Sequence, residues 1–132
     1  MNQRLTKAKR LLKLQEQLHE IEKWKLAGLR KKGGELREAQ ASLIQTLNDA
    51  EALYGLFVDA RARRLQQLAS QEAHNKQLEE QQSEVALDRA KKVKRIERAV
   101  SRLKVDDRRA VEKADYMQLL DILTSKPKAS LP

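Results

Sequence analysis

The residues able to do chemistry are few and far apart. The two histidines, His19 and His74, are the natural candidates for an imidazole base or a metal ligand, and 55 positions separate them. Folded as argued below, the chain keeps them apart, and His19 sits among Glu16, Glu20, Glu22 and Lys23 as a surface helix residue would. There is no cysteine, which excludes disulfides and thiolate metal sites. No glycine-rich phosphate loop follows a strand, and there is no nucleophile elbow and no His-Glu-x-x-His. The expectation is a protein with no catalytic centre, no metal and no cofactor.

The side chains that stand out instead are those that dock proteins. Trp24 is the only tryptophan, and tryptophan is enriched among residues that dominate interfaces. Packing against a second helix near residue 90 is the simpler expectation for it. Tyr54 and Phe57 lie where the chain is expected to turn, as a hydrophobic plug or a docking tip. Tyr116, Leu119, Leu120 and Leu123 follow the i, i+3, i+4, i+7 spacing of one helix face, the pattern of a ligand helix that enters a groove.

The elements that position these residues follow from composition and period. Charged residues make up 36% of the 132-residue chain and aromatics 3%, with only 4 Gly and 2 Pro. Sheet domains need turn residues far more often than this, and the richness in Leu, Ala, Glu, Lys, Arg and Gln is that of long helices. Apolar residues recur at Leu11, Leu14, Leu18 and Ile21, and again at Leu26, Leu29, Leu36, Leu43 and Leu47, one residue out of phase with the first run. A second helix carries Leu65, Leu68, Leu78, Val85, Val93, Ile96, Val100, Leu103, Ala110, Ala114 and Met117.

The expected fold is all-α: a long antiparallel two-helix coiled-coil hairpin with a disordered C-terminal tail. The first helix covers about 4–53, the turn about 54–59, the second helix about 60–124 and the tail 125–132. Gly55 is expected to end the first helix and Asp59 to cap the second. Gly33-Gly34 marks either a soft spot or a break in the first helix.

Facing residues in an antiparallel pair have a constant sum of residue numbers. Leu11/Leu103, Leu14/Val100, Leu18/Ile96, Ile21/Val93, Leu29/Val85 and Leu36/Leu78 all sum to 114. A shift to 121 matches about as well, and 107 gives fewer apolar pairs. The preferred register of 114 leaves Glu72, Asn75, Glu79, Gln82 and Arg89 on or near the seam, which predicts a loose middle, and leaves the second helix overhanging beyond about residue 109.

Charge is segregated. The formal charge is +9, and it divides as +7 over 1–37, −5 over 38–88 and +7 over 89–132. Lys91, Lys92, Lys94, Arg95 and Arg98, continuing to Arg108 and Arg109, ring the second helix. Solvation alone accounts for scattered charge better than for segregated charge, so an acidic partner is expected at this end. Nucleic acid is the less favoured partner, because base-stacking aromatics are missing and Glu16, Glu20, Glu22, Glu97, Asp106 and Asp107 interrupt the basic residues. No apolar run is long enough to span a bilayer and the first 25 residues hold no signal-peptide core, so a cytoplasmic location is expected.

In length, in its Cys-free Leu/Ala/Gln/Arg composition, in its basic start (Arg4-Leu5, Lys7, Lys9-Arg10-Leu11-Leu12-Lys13-Leu14) and in its single long hairpin, the chain resembles the central-stalk proteins of type III export machines. These are the FliJ proteins of flagella and the YscO-like proteins of injectisomes. Gly33-Gly34 departs from that pattern. The resemblance implies a non-enzymatic stalk, similar to the γ subunit of rotary ATPases. Such a stalk inserts in a hexameric export ATPase and links it to the cytoplasmic domain of the export-gate membrane protein. It implies an escort role toward secretion chaperones, and a position peripheral to the inner face of the membrane. It also implies that residues 110–124 enter the ATPase ring, where Arg108, Arg109 and Lys113 meet acidic loops. A basic coiled-coil scaffold or a nucleic-acid-binding protein is the alternative.

Overall fold

The computed structural model describes residues 3–50 and 55–129. Two helices account for all of them: α1 (Gln3–Ala50) and α2 (Gly55–Ala129), packed against each other as a helical hairpin. α1 passes through Gly28, Gly33 and Gly34 without interruption, so the glycine pair does not break it. The stretch expected to turn, about 54–59, is helical from Gly55 on. Gly55 opens α2 rather than closing α1, Phe57 and Asp59 lie within α2, and no described glycine has a positive φ. Tyr54 lies outside the described residues. α2 continues past the expected end at Thr124 to Ala129, through Pro127. A proline this close to a helix end removes one backbone donor, that for the Leu123 carbonyl, and leaves the earlier turns in place. Just before it, the Thr124 and Ser125 hydroxyls donate to the Asp121 and Ile122 carbonyls, each at 3.1 Å.

The helices pair within two compact units, Gln17–Ala90 and the combination of Met1–Glu16 with Lys91–Pro132. In the first unit the buried residues are Leu26, Gly33 and Leu36 of α1 and Leu68, Asn75 and Ala86 of α2. Half-buried His19, Glu22, Leu29, Gln40, Leu43 and Leu47 continue the α1 stripe in alternating steps of three and four. On α2 the matching positions are Leu65, Glu72, Glu79, Gln82 and Arg89. Polar contacts between the helices fix the register. Gln40 bonds to Glu72, Asn75 to the Leu29 carbonyl and Gln82 to the Glu22 carbonyl, and Arg37 approaches Glu72. Facing residues therefore sum to about 108.

In the second unit Leu5, Ala8, Leu12 and Gln15 of α1 are half-buried. Val93 and Val100 of α2 are buried, and Ile96 and Leu103 half-buried. No side chain among the described residues is fully enclosed. Within each unit the two helices share one seam, and even its best-covered side chains keep a few per cent of their surface exposed.

This register corrects both favoured expectations, 114 and 121, and lies beside the one that apolar pairing ranked lower. Leu11, Leu14 and Ile21 are exposed, as are Leu78 and Val85, while Leu18 is half-buried. The physical reason is phase. The register of 114 needs α1 to change heptad phase between Ile21 and Leu29. Within the Gln17–Ala90 unit the observed seam keeps one phase from His19 to Leu47, with no such change. The cost is a series of polar layers, each closed by hydrogen bonds between the helices.

Candidate docking surfaces

The polar layers are best built from Gly33 outward. Asn75 is only 3% exposed, and its Nδ2 donates to the Leu29 carbonyl at 2.9 Å. It reaches that carbonyl because position 33 has no side chain: a Cβ on Gly33 would stand 3.0 Å from Asn75 Nδ2 and 3.0 Å from Glu79 Oε1. The glycine is therefore a close-approach residue in the seam rather than a turn residue. Nearer the turn, Gln40 Nε2 donates to Glu72 Oε2 at 2.6 Å and to the Leu36 carbonyl at 3.2 Å, and Arg37 Nη1 lies 3.8 Å from Glu72.

On the other side of Gly33, Gln82 Nε2 donates both to the Glu22 carbonyl, at 3.0 Å, and to its carboxylate. The Glu22 side chain is 14% exposed and takes a second contact from Lys25 Nζ at 3.5 Å. The Gln82 bond, and after it the positive charges of Lys25 and Arg89, hold the Glu22 carboxyl below its ordinary value against the opposing effect of burial. Glu20 is lowered as well, chiefly by Lys23 at 2.9 Å. The expected loose middle is thus closed by amide and carboxylate contacts, which apolar pairing could not reveal.

These groups are already bonded to one another, and among the described residues no cluster of His, Asp and Glu could hold a metal ion. His19 is a half-buried seam residue, which corrects the expectation that it lies on the surface.

The residues singled out for partners fall as follows. Lys91, Lys92, Lys94, Arg95, Arg98, Arg108 and Arg109 are all exposed along α2. Beyond Asp107 every described side chain up to Ser125 is exposed, and Tyr116, Leu119, Leu120 and Leu123 are among them. The overhang expected from the sequence is present, and it begins slightly earlier. Phe57 is exposed at the start of α2. Trp24 is 67% exposed, which corrects the expected packing against α2. No helix among the described residues is long and apolar enough to cross a membrane.

No family model, curated protein or solved structure matches the chain.

Two surfaces escaped the sequence reading. Leu78 and Val85 were assigned to the seam and are instead exposed on one flank of α2, while Ile21 is exposed on α1. A cue was available. In the phase fixed by Leu68 and Val93, positions 78 and 85 stand one residue outside the stripe, as Leu11, Leu14 and Ile21 do on α1.

Proposed function

We propose that this chain is a non-enzymatic coiled-coil stalk or adaptor that docks a multisubunit partner through the uncovered end of α2. The partner is a hexameric type III secretion or flagellar export ATPase, linked by this chain to the cytoplasmic domain of the export-gate membrane protein. Escort of secretion chaperones belongs to the same reading, as does a cytoplasmic position at the inner face of the membrane.

One observation carries the proposal: the α2 overhang is exposed, yet it is built for burial. At 100° per residue, the apolar side chains Ile122, Leu119, Leu123, Tyr116, Leu120 and Met117 sweep about 220° of the helix, leaving Gln118 and Asp121 as the polar strip. A helix resting in one groove needs a stripe of roughly half that width. An arc this wide suits a socket that surrounds the helix on several sides, such as the centre of a ring. Arg108, Arg109 and Lys113 stand just before it and suit an acidic rim.

Replacement of Leu119 and Leu120 by Ser tests the reading. Burial of one Leu contributes roughly 1.5–3 kcal/mol, so loss of two weakens docking by about a hundredfold or more. Stimulation of the export ATPase should vanish while helicity and melting stay unchanged. A collapsed melt makes the segment part of the hairpin core and removes the proposal.

A further inference from the structure

The two flanks of the Gln17–Ala90 unit differ in kind. On one flank Arg37 reaches across to Glu72 at 3.8 Å, beside Lys76 and Glu79, so that side is occupied by the hairpin's own charges. On the other, Lys32 of α1 and Gln71, His74 and Leu78 of α2 border a shallow hollow against the buried Asn75. Along this flank α1 presents Ile21, Lys25, Gly28 and Lys32 at steps of four, three and four. α2 presents Leu78 and Val85 one heptad apart. Ile21, Leu78 and Val85 are exposed, and a Cβ on Gly28 would meet nothing within 4 Å.

From this asymmetry we infer that the valley bordered by Ile21, Lys25, Gly28, Lys32, Leu78 and Val85 is the seat of a third helix, an acidic amphipathic helix from another protein. The inference goes beyond the docking of the α2 overhang and does not depend on it. Three observations select the occupant. Leu78 and Val85 are about 10.5 Å apart along α2, the spacing at which one heptad of a packed helix presents successive apolar layers. Gly28 leaves room for a backbone or a large side chain to come close on the α1 side. The charges bordering the valley on α1 are Lys25 and Lys32, and α2 answers with the neutral Gln71 and Gln81. Glutamates on the incoming helix are therefore complementary to it.

A second copy of this chain is disfavoured, since each copy carries a formal charge of +9. Glu35 and Asp88 stand at the two limits of the stripe. The interval from His74 to Asp88 is about 20 Å, or four turns, which sets the length of the segment that fits.

A synthetic four-turn helical peptide with leucines on one face and glutamates on both flanks serves as the probe. A second peptide has lysines in place of the glutamates. Both carry a fluorophore, and binding is read as anisotropy. The full-length chain should bind the glutamate peptide at least tenfold more tightly than the lysine peptide. Leu78→Ser with Val85→Ser should abolish binding while circular dichroism still reports the helical chain, since both side chains border the seam and neither is buried in it. Lys25→Glu with Lys32→Glu should invert the preference between the peptides. Stimulation of the export ATPase should be unchanged in both double variants. The inference is overturned if neither peptide binds, if the glutamate peptide binds the Leu78/Val85 variant as well as it binds the unmodified chain, or if sedimentation shows a dimer that those substitutions dissolve.

Discussion

Gly28, Gly33 and Gly34 all lie inside α1, yet replacing each by alanine should give opposite results. Alanine is favoured over glycine in a helix interior by about 0.5–1 kcal/mol. At Gly28 the new methyl meets nothing within 4 Å, and at Gly34 its nearest neighbour is the end of Arg37 at 3.9 Å, so both substitutions should gain that full amount. At Gly33 the methyl would stand 3.0 Å from Glu79 Oε1, which can swing away, and 3.0 Å from Asn75 Nδ2, which is held by its 2.9 Å bond to the Leu29 carbonyl. A shift of a few tenths of an ångström at Asn75 stretches that bond in a buried site. A buried amide left without its partner costs about 1–3 kcal/mol, enough to cancel or exceed the propensity gain. Urea denaturation followed by circular dichroism should therefore rank Gly28→Ala and Gly34→Ala above the unmodified chain, and Gly33→Ala level with it or below. If Gly33→Ala stabilises as much as the other two, the assignment of Gly33 as the residue that admits Asn75 is wrong.

Two further outcomes follow from the polar layers. Asn75→Leu should raise the melting temperature and loosen the register: in the unmodified background an oxidised Cys pair at positions 29 and 79 should close and one at 29 and 85 should not, whereas in the Asn75→Leu background both should close. Continued exclusion of the second pair would show that Asn75 does not set the register. The Glu22 carboxyl is held below its ordinary value of 4.5 in the folded chain, so the stability it contributes is complete above that value and is lost as pH falls through the lowered one. Melting temperature should drop on acidification, less steeply in Glu22→Gln; identical acid profiles would remove Glu22 from the account.

Helix content and antiparallel pairing were legible in the sequence, because a near-continuous heptad in a Leu- and Ala-rich chain admits little else. The uncovered end of α2 was legible too, since it depends only on one helix being longer than the other. The register was not. Counting apolar pairs rewarded Leu11, Leu14, Leu18 and Ile21, and it gave no weight to the bonds from Asn75, Gln40 and Gln82 that make polar layers tolerable. Nor did it weigh the cost of a phase change in α1. Gly55 misled for a local reason: a glycine between two helices can end the first or open the second, and its φ decides which. The flank carrying Leu78 and Val85 was hidden by the same register error, which had placed both residues inside the seam.

A seam in which nothing is fully enclosed has an evolutionary consequence. In a globular core each side chain touches many others drawn from distant parts of the chain, and a change of length disturbs them all. Here each layer answers to the layers directly above and below it. Seven residues added to both helices at matching depth would insert two layers and leave every other layer with its old neighbours. Seven added to one helix alone would slide everything beyond them by a heptad. Reach can thus be adjusted in discrete steps without redesigning an interior, while the polar layer at Asn75 and Gly33 marks where the two strands must still agree.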